Sequence, residues 1–549
     1  MFDWLFGKEE QVEEVEEIIR KEFVVLVILD GFGVHPDREG NSVLQANTPF
    51  LDRAWTFGKS TLIHASGSHV GLPMDEPGNS EVGHLNIGSG QVVYQSLQRI
   101  NDTIAANELV DNEVIQEIFK TVKERKTNLH LMGILSAGGV HGHIEHLFAL
   151  LDICKQQGVS PLIHAMLDGR DTPPTDGYFY ISKLVQKLKE LGIGQIASVS
   201  GRLYSMDRDS RWERTQLAYN AMMGLGQRKA FDVFSLIQEA YKNNETDQIF
   251  LPTTMVDQNG NPIGPIKNGD VVLFYNFRED RARQMTKVFM LDEFNGFPRV
   301  NFPENLYFAT MTGYSDDLKT HIVFPPKKIT ETLASVLSDN QLNQFHISET
   351  EKYMHVSYFF NGGVEAPHAG EDFFNIPSPK VFDYSTTPEM SAEITKDEVL
   401  YRLDNMHKKK YSFIVINFAN PDMLGHTGNL AQAIKANEFV DKCTQEIAQK
   451  AVAKGGAVVI IADHGNCETM IDRITKKIDT QHNPNPVPFI LVHDINQIDM
   501  GRPAKVLKIG TGERAQPTGI LSDVAPTILN ILGIEPPSTM TGVNLIDII

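Results

Sequence analysis

From Phe23 onward, short runs of apolar and often β-branched residues alternate with longer stretches of helical periodicity. This is the pattern of a parallel sheet with helices packed on its faces. The runs are FVVLVIL (23–29), LHLMGIL (129–135), PLIHAML (161–167), QIASVSG (195–201), DVVLFYNF (270–277), SFIVINF (412–418) and AVVIIAD (457–463). Ahead of them, residues 8–22 (KEEQVEEVEEIIRKE) are acidic, with Val12, Val15, Ile18 and Ile19 near helical spacing. That spacing predicts a short amphipathic helix, a solvated extension or docking helix rather than part of the core.

Several runs stop at a residue able to hold a ligand. FVVLVIL runs into Asp30, SFIVINF precedes Asn420 and Asp422, and AVVIIA runs into Asp463. In an open α/β sheet the carboxyl ends of the strands form the ligand crevice. Ser80, His426, His464 and His482 complete a set of oxygen and nitrogen donors that suggests two metals and a serine nucleophile. Carboxylates mixed with neutral imidazoles suit Mn, Zn or Fe-type divalent ions better than Ca or Mg. Asp422 and His426, at i and i+4, face the same way if that turn is helical, whereas the adjacent Asp463 and His464 converge only where the strand bends. Taken alone, Ser80 between Asn79 and Glu81 reads as a helix N-cap.

At 549 residues the chain exceeds what one hydrophobic core usually supports. The donor candidates occupy its two ends and the middle carries none, so one domain is expected to be interrupted by another. Candidate crossings are Val93 to Leu97 and VFPPKK, where Pro325 and Pro326 would stiffen a hinge. A net charge of −20 argues against a general nucleic-acid or anionic-membrane binder, so an anionic substrate requires a local cluster of arginine. The middle of the chain supplies one, with Arg170 in DGRD, Arg202 and Arg208 in GRLYSMDR, and Arg278 and Arg281 in FREDR. Arg forks match carboxylate and phosphate bidentately, although such charge-mixed runs also form ordinary surface ion pairs. Three scattered cysteines fit a reducing compartment. The apolar runs fall short of the roughly 20 residues that span a bilayer, and MFDWLFGKEE is no signal peptide. A soluble cytoplasmic protein is expected.

The motifs LDGFG, GNSEVGHLNIGSG, GGVHGHIEHL, LDGRDTPP, GRLYSMDRDSRWERT, NFREDRARQ, EKYMHVSYFFNGG, NFANPDMLGHTGN and ADHGNCE, in this order, resemble the cofactor-independent phosphoglycerate mutases of the alkaline phosphatase superfamily. LSDVAPTILNILG adds superfamily support. The resemblance covers nearly all of the chain after residue 22. It implies a two-domain α/β fold, an alkaline-phosphatase-like parallel-sheet domain (23–94 and 328–549) interrupted by an inserted α/β transferase domain (95–327), behind an acidic extension (1–22). It also implies interconversion of 2-phosphoglycerate and 3-phosphoglycerate in glycolysis and gluconeogenesis through a phosphoserine, independent of 2,3-bisphosphoglycerate.

By the same resemblance one divalent ion, Mn2+, is held by Asp422, His426 and His482, and a second by Asp30, Ser80, Asp463 and His464. Substrate contacts fall on His141, Arg170, Asp171, Arg202, Arg208, Arg278, Arg281 and Lys352. Ser80 is the nucleophile, Asp171 moves protons on the glycerate hydroxyls, and Lys352 offsets phosphate charge. A monomer is implied, with no nucleic-acid or membrane partner. His143 and His146 are expected to pack or cap a helix, and Cys467 to be a small buried hydrophobe. The rivals are a related metal-dependent phosphatase or phosphopentomutase, which should lack the arginine-rich insert, and a silent metabolite-binding protein.

Overall fold

The computed structural model describes residues 19–549 apart from Asp75, Asp316, Lys327 and Lys328. The helix expected over residues 8–22 lies largely outside the described residues. Ile19 is buried, and residues 19–22 belong to no helix. The chain divides into two compact units, one formed by the sequence up to Gln95 and from Lys328 onward, the other by Ser96–Lys327. None of the helices among the described residues is long and apolar enough to cross a membrane.

The first unit is built on an eight-stranded sheet in the order Glu371–Ile376, Gln344–Glu349, Phe413–Phe418, Val24–Leu29, Ala457–Ile461, Val487–Val492, Lys59–His64 and Pro517–Ile520. The first five strands are parallel, Val487–Val492 runs against both of its neighbours, and Pro517–Ile520 is parallel to Lys59–His64. Every residue of the central strands Val24–Leu29, Phe413–Phe418 and Ala457–Ile461 is buried, as strands covered by helices on both faces must be. Their registers align Leu29 with Phe418 and Ile28 with Ile461, so the three chains leave the sheet at one level. Asp30, Asp422 and Asp463 are carried by the segments that leave there.

The second unit holds another eight-stranded sheet, in the order His321–Ile322, Tyr307–Thr310, Val271–Phe274, Leu129–Ile134, Leu162–Leu167, Gln195–Gly201, Thr253–Met255 and Arg228–Ala230. Its pairs are parallel except for Gln195–Gly201 with Thr253–Met255. Successive strand residues feed a separate core on each face, Leu131, Ile163 and Leu273 in one, Met132, Met166 and Phe274 in the other. The arginine-bearing turns follow the carboxyl ends of Leu162–Leu167, Gln195–Gly201 and Val271–Phe274.

Candidate active site

Asp30 follows the strand Val24–Leu29 in a turn made possible by Gly31, which has φ +68°. A Cβ on Gly31 would lie 2.8 Å from Asp422 Cα, so only glycine lets the two acidic segments meet. Asp422 and His426 sit on the helix Asn420–Thr427, whose Pro421 in the first turn replaces an N–H that has no intrahelical partner there. Ser80 opens the helix Ser80–Ser89 but does not cap it. Asn79 does, accepting from Val82 N at 2.9 Å, which leaves the Ser80 hydroxyl available to the site. Gly83, one turn on, brings that helix against the Asp463 carbonyl, where a Cβ would meet oxygen at 2.6 Å.

Around Ser80 Oγ the groups converge closely. Lys352 Nζ donates to it at 2.7 Å, His464 Nε2 lies at 3.0 Å, and the hydroxyl donates to Asp30 Oδ1 at 3.2 Å. Lys352 also pairs with Asp30 Oδ1 and Asp422 Oδ2, both at 2.6 Å. On the other side of Asp422, its Oδ1 lies 3.3 Å from both His426 Nε2 and His482 Nε2, and these two nitrogens are 3.1 Å apart. His426 and His482 are partly exposed and form a rim, whereas Asp30, Ser80, Asp463 and His464 are buried.

Burial alone would raise the carboxyls of Asp30 and Asp422, but the Lys352 ammonium holds both well below the ordinary range. The same carboxylates, against the cost of burial, push Lys352 above its usual range. His464 is raised to about 9, because Asp463 and Asp30 outweigh its burial. Two carboxylates, Asp30 and Asp422, are thus kept ionised in a buried place, which requires compensating cations.

The donor set fits divalent metals. Ligand atoms of Asp30, Asp463 and His464 lie within 4.8 Å of one another, as do those of Asp422, His464 and His482. His464 therefore stands between the two sets, and His426 joins the second through Asp422. Asp463 Oδ2 is buried with no hydrogen-bond partner among the described residues. His426 Nδ1 lies 2.8 Å from Thr480 O and His482 Nδ1 lies 3.0 Å from Gly78 O, contacts that turn both Nε2 atoms toward the acidic center, as ligating histidines are oriented.

In the other unit, Arg170, Arg202, Arg208 and Arg281 line one cavity of about 320 Å³, together with Arg211 and Arg214. Arg202 Nη1 bridges Asp168 Oδ1 at 2.5 Å and Asp171 Oδ2 at 2.6 Å. Arg208 and Arg278 both pair with Asp280, at 2.7 and 3.3 Å, so the ion-pair reading holds for them in part. His141 is buried, 3.9 Å from Asp171 and 3.6 Å from Asp280, and burial followed by the charge of Arg202 lowers it to about 4. His143 caps the helix Ile144–Gln157, and His146 packs in the interior with Nε2 2.8 Å from Asn101. Cys467 is buried beside Ser42 and Asn437.

Sequence reasoning missed the residues behind these groups. Asp168 accepts from Ser136 Oγ and from the backbone of Arg170 and Asp171, and so shapes the DGRD turn. Glu468 accepts from Gly33 N, Asn466 N and Asn485, tying three loops together behind Asp463. Asp168 lies in LDGRD and Glu468 in ADHGNCE, and the excess of acids in these motifs is the available signal.

The chain is similar to known proteins along most of its length. Residues 100–316 match the family described as BPG-independent PGAM N-terminus (iPGM_N). A 2,3-bisphosphoglycerate-independent phosphoglycerate mutase of Clostridium perfringens is 46% identical over 530 residues, 96% of this chain and 99% of the relative. One from a Nostoc species is 46% identical over 527 residues, covering 95% of each. Among solved structures, Leishmania mexicana phosphoglycerate mutase, crystallized at low cobalt concentration, is 30% identical, with TM-score 0.58 over 96% of this chain and 98% of that one. On this similarity along nearly its whole length, the chain belongs to the 2,3-bisphosphoglycerate-independent phosphoglycerate mutases.

Proposed function

We propose that this chain interconverts 3-phosphoglycerate and 2-phosphoglycerate by passing the phosphoryl group through Ser80, with no 2,3-bisphosphoglycerate. The observation that carries the reading is the convergence of Lys352, His464 and Asp30 on the Ser80 hydroxyl within 3.2 Å, in a relative of enzymes bearing that name. Residues 23–94 and 328–549 would supply the nucleophile and the metal ligands, and 95–327 the glycerate-binding arginines.

Ser80, its proton released to solvent, attacks phosphorus through Oγ as the bond from phosphorus to the glycerate oxygen breaks. The Lys352 ammonium favours the serine alkoxide and offsets phosphoryl charge. Asp171 gives a proton to the departing O3 and later accepts one from O2, so the glycerate reorients and is rephosphorylated on the other hydroxyl. The arginine forks retain the glycerate meanwhile, and retention separates a mutase from a phosphatase. Two divalent ions, one held by Asp422, His426 and His482 and one by Asp30, Ser80, Asp463 and His464, would lower the hydroxyl pKa and neutralise phosphoryl oxygens when bound. We take the metal to be Mn2+. We take the protein to be a cytoplasmic monomer of glycolysis and gluconeogenesis, which its three buried free cysteines support for the compartment.

Phosphorus NMR of the protein with 3-phosphoglycerate and Mn2+, in the absence of 2,3-bisphosphoglycerate and against a chelated control, tests the reading. Metal-dependent appearance of 2-phosphoglycerate without matching free phosphate is expected. Dominant free phosphate would replace the mutase with a hydrolase.

A further inference from the structure

His84 lies in the motif GNSEVGHLNIG, four residues beyond Ser80 on the same helix, and it is fully buried. It is not among the metal or substrate groups assigned above, yet it touches them on two sides. Its Nδ1 is 2.9 Å from the Ser80 carbonyl and 3.2 Å from Asp463 Oδ2, while its Nε2 is 3.0 Å from Asn417 Nδ2. Asn417 Nδ2 in turn donates to Asp30 Oδ2 at 2.7 Å.

The hydrogen bonding follows from these contacts. An ionised carboxylate only accepts, so the Asn417 atom facing Asp30 must be the amide nitrogen. That nitrogen has two hydrogens, and the second is directed at His84 Nε2, which must then accept. His84 is therefore the Nδ1–H tautomer, and its single donor goes to the Ser80 carbonyl. The neighbouring Asp463 Oδ2 has no hydrogen-bond partner among the described residues. Asp30, Asn417, His84 and Ser80 form one hydrogen-bonded chain that ends beside Asp463, bracketing the proposed nucleophile between two proposed ligands.

We propose that His84 is a positioning residue of the metal and nucleophile site: held in one tautomer by Asn417, it fixes the backbone of Ser80 and leaves Asp463 Oδ2 available to a divalent cation. The inference rests on the reading of Asp30, Asp463 and His464 as a metal set.

The test is calorimetric titration of the full chain with Mn2+, alongside steady-state kinetics with 3-phosphoglycerate. His84→Gln, which supplies an acceptor near the Nε2 position but no donor at Nδ1, should weaken one Mn2+ equivalent about 10–100-fold. It should lower kcat and leave KM within about twofold, because the arginine set is untouched. His84→Asn, which can place an amide donor near the Nδ1 position, should recover most of the lost affinity. In a double-mutant cycle the losses from His84→Gln and Asn417→Leu should be strongly non-additive, since both break one chain. Equal losses in the two His84 variants, or additive losses with Asn417→Leu, would overturn the proposal. Should His84→Gln fail to fold, Asn417→Leu decides: the same equivalent is weakened, or the proposal falls. Wild-type protein that binds no Mn2+ overturns the metal reading and this one with it, whereas wild-type binding with an unaffected His84→Gln overturns only the role of His84.

Discussion

The Lys352 ammonium lies 2.7 Å from the Ser80 hydroxyl oxygen, inside a buried cluster that also contains Asp30 and Asp422. One cation thus serves both a nucleophile and two acids. Replacing Ser80 with Ala removes the attacking oxygen without opening a cavity, so mutase activity should fall by at least about 10⁴-fold with the thermal midpoint nearly unchanged. Lys352→Ala should also abolish turnover, but it leaves two buried carboxylates without their partner, a cost on the order of 3–5 kcal/mol. Melting curves with and without Mn2+ check this, since the destabilisation should be larger in the chelated protein. Retained mutase activity in Ser80→Ala would end the phosphoserine mechanism.

Arg202 spans Asp168 and Asp171 with one nitrogen, so the proposed proton carrier and a proposed substrate-binding guanidinium are mechanically linked. Asp171→Asn keeps the size of the side chain but neither charge nor basicity. We expect kcat to drop about 10²–10⁴-fold with a small change in KM. Arg202→Lys keeps a cation that can pair with the two acids but loses the planar fork that grips carboxylate or phosphate, and it should chiefly raise KM for 3-phosphoglycerate. Separate kcat and KM values for both variants check the assignment, and the reverse pattern would exchange the two roles.

The parts of the fold legible in the sequence were the strands formed by apolar runs. FVVLVIL, SFIVINF and AVVIIAD became neighbouring central strands because a largely apolar run suits a position covered on both faces. Lys59–His64 (KSTLIH) and Gln344–Glu349 (QFHISE) were not read as strands, since their polar residues find partners that are invisible in the sequence. Gln344, for example, donates to Ala334 O, and His346 contacts Val356 O. Each anticipated donor except His482, which lies in the loop before Val487–Val492, is at a strand end or on a helix, where motif and topology coincide. What stayed hidden was the supporting layer: Asn417 and Asp168 act through atoms brought near by pairing of distant strands, and no spacing rule encodes that.

His141, in the unit that carries none of the proposed metal ligands, gives a pH dependence of its own. Burial and the charge of Arg202 lower it to about 4, with Arg278 acting the same way and Asp280 and Asp171 acting against them. Above about pH 6.5 the imidazole is neutral in both the folded and the unfolded chain, and it contributes no slope. Between 6.5 and 4 the unfolded chain binds a proton that the folded chain refuses, so stability is lost as pH falls through that window. His141→Gln should remove this part of the acid sensitivity. Denaturation at pH 7.5 and pH 5 would give a smaller pH difference in the variant than in the wild type, and identical differences would rule the assignment out.

Metal removal distinguishes the two donor sets. A ligand that binds only the folded state stabilises it by about 2.7 kcal/mol at 100 times its Kd, so chelation should lower the thermal midpoint and free Mn2+ should restore it. His426 meets the acidic center through Asp422 and His482, on the partly exposed rim. His426→Ala should therefore weaken one of two Mn2+ equivalents and spare the other, while Asp463→Asn should do the converse. Because His464 stands within reach of both sets, His464→Ala should weaken both together. Titration of the three variants by calorimetry reads this directly, and a single equivalent lost alike in all three would mean one shared metal instead of two.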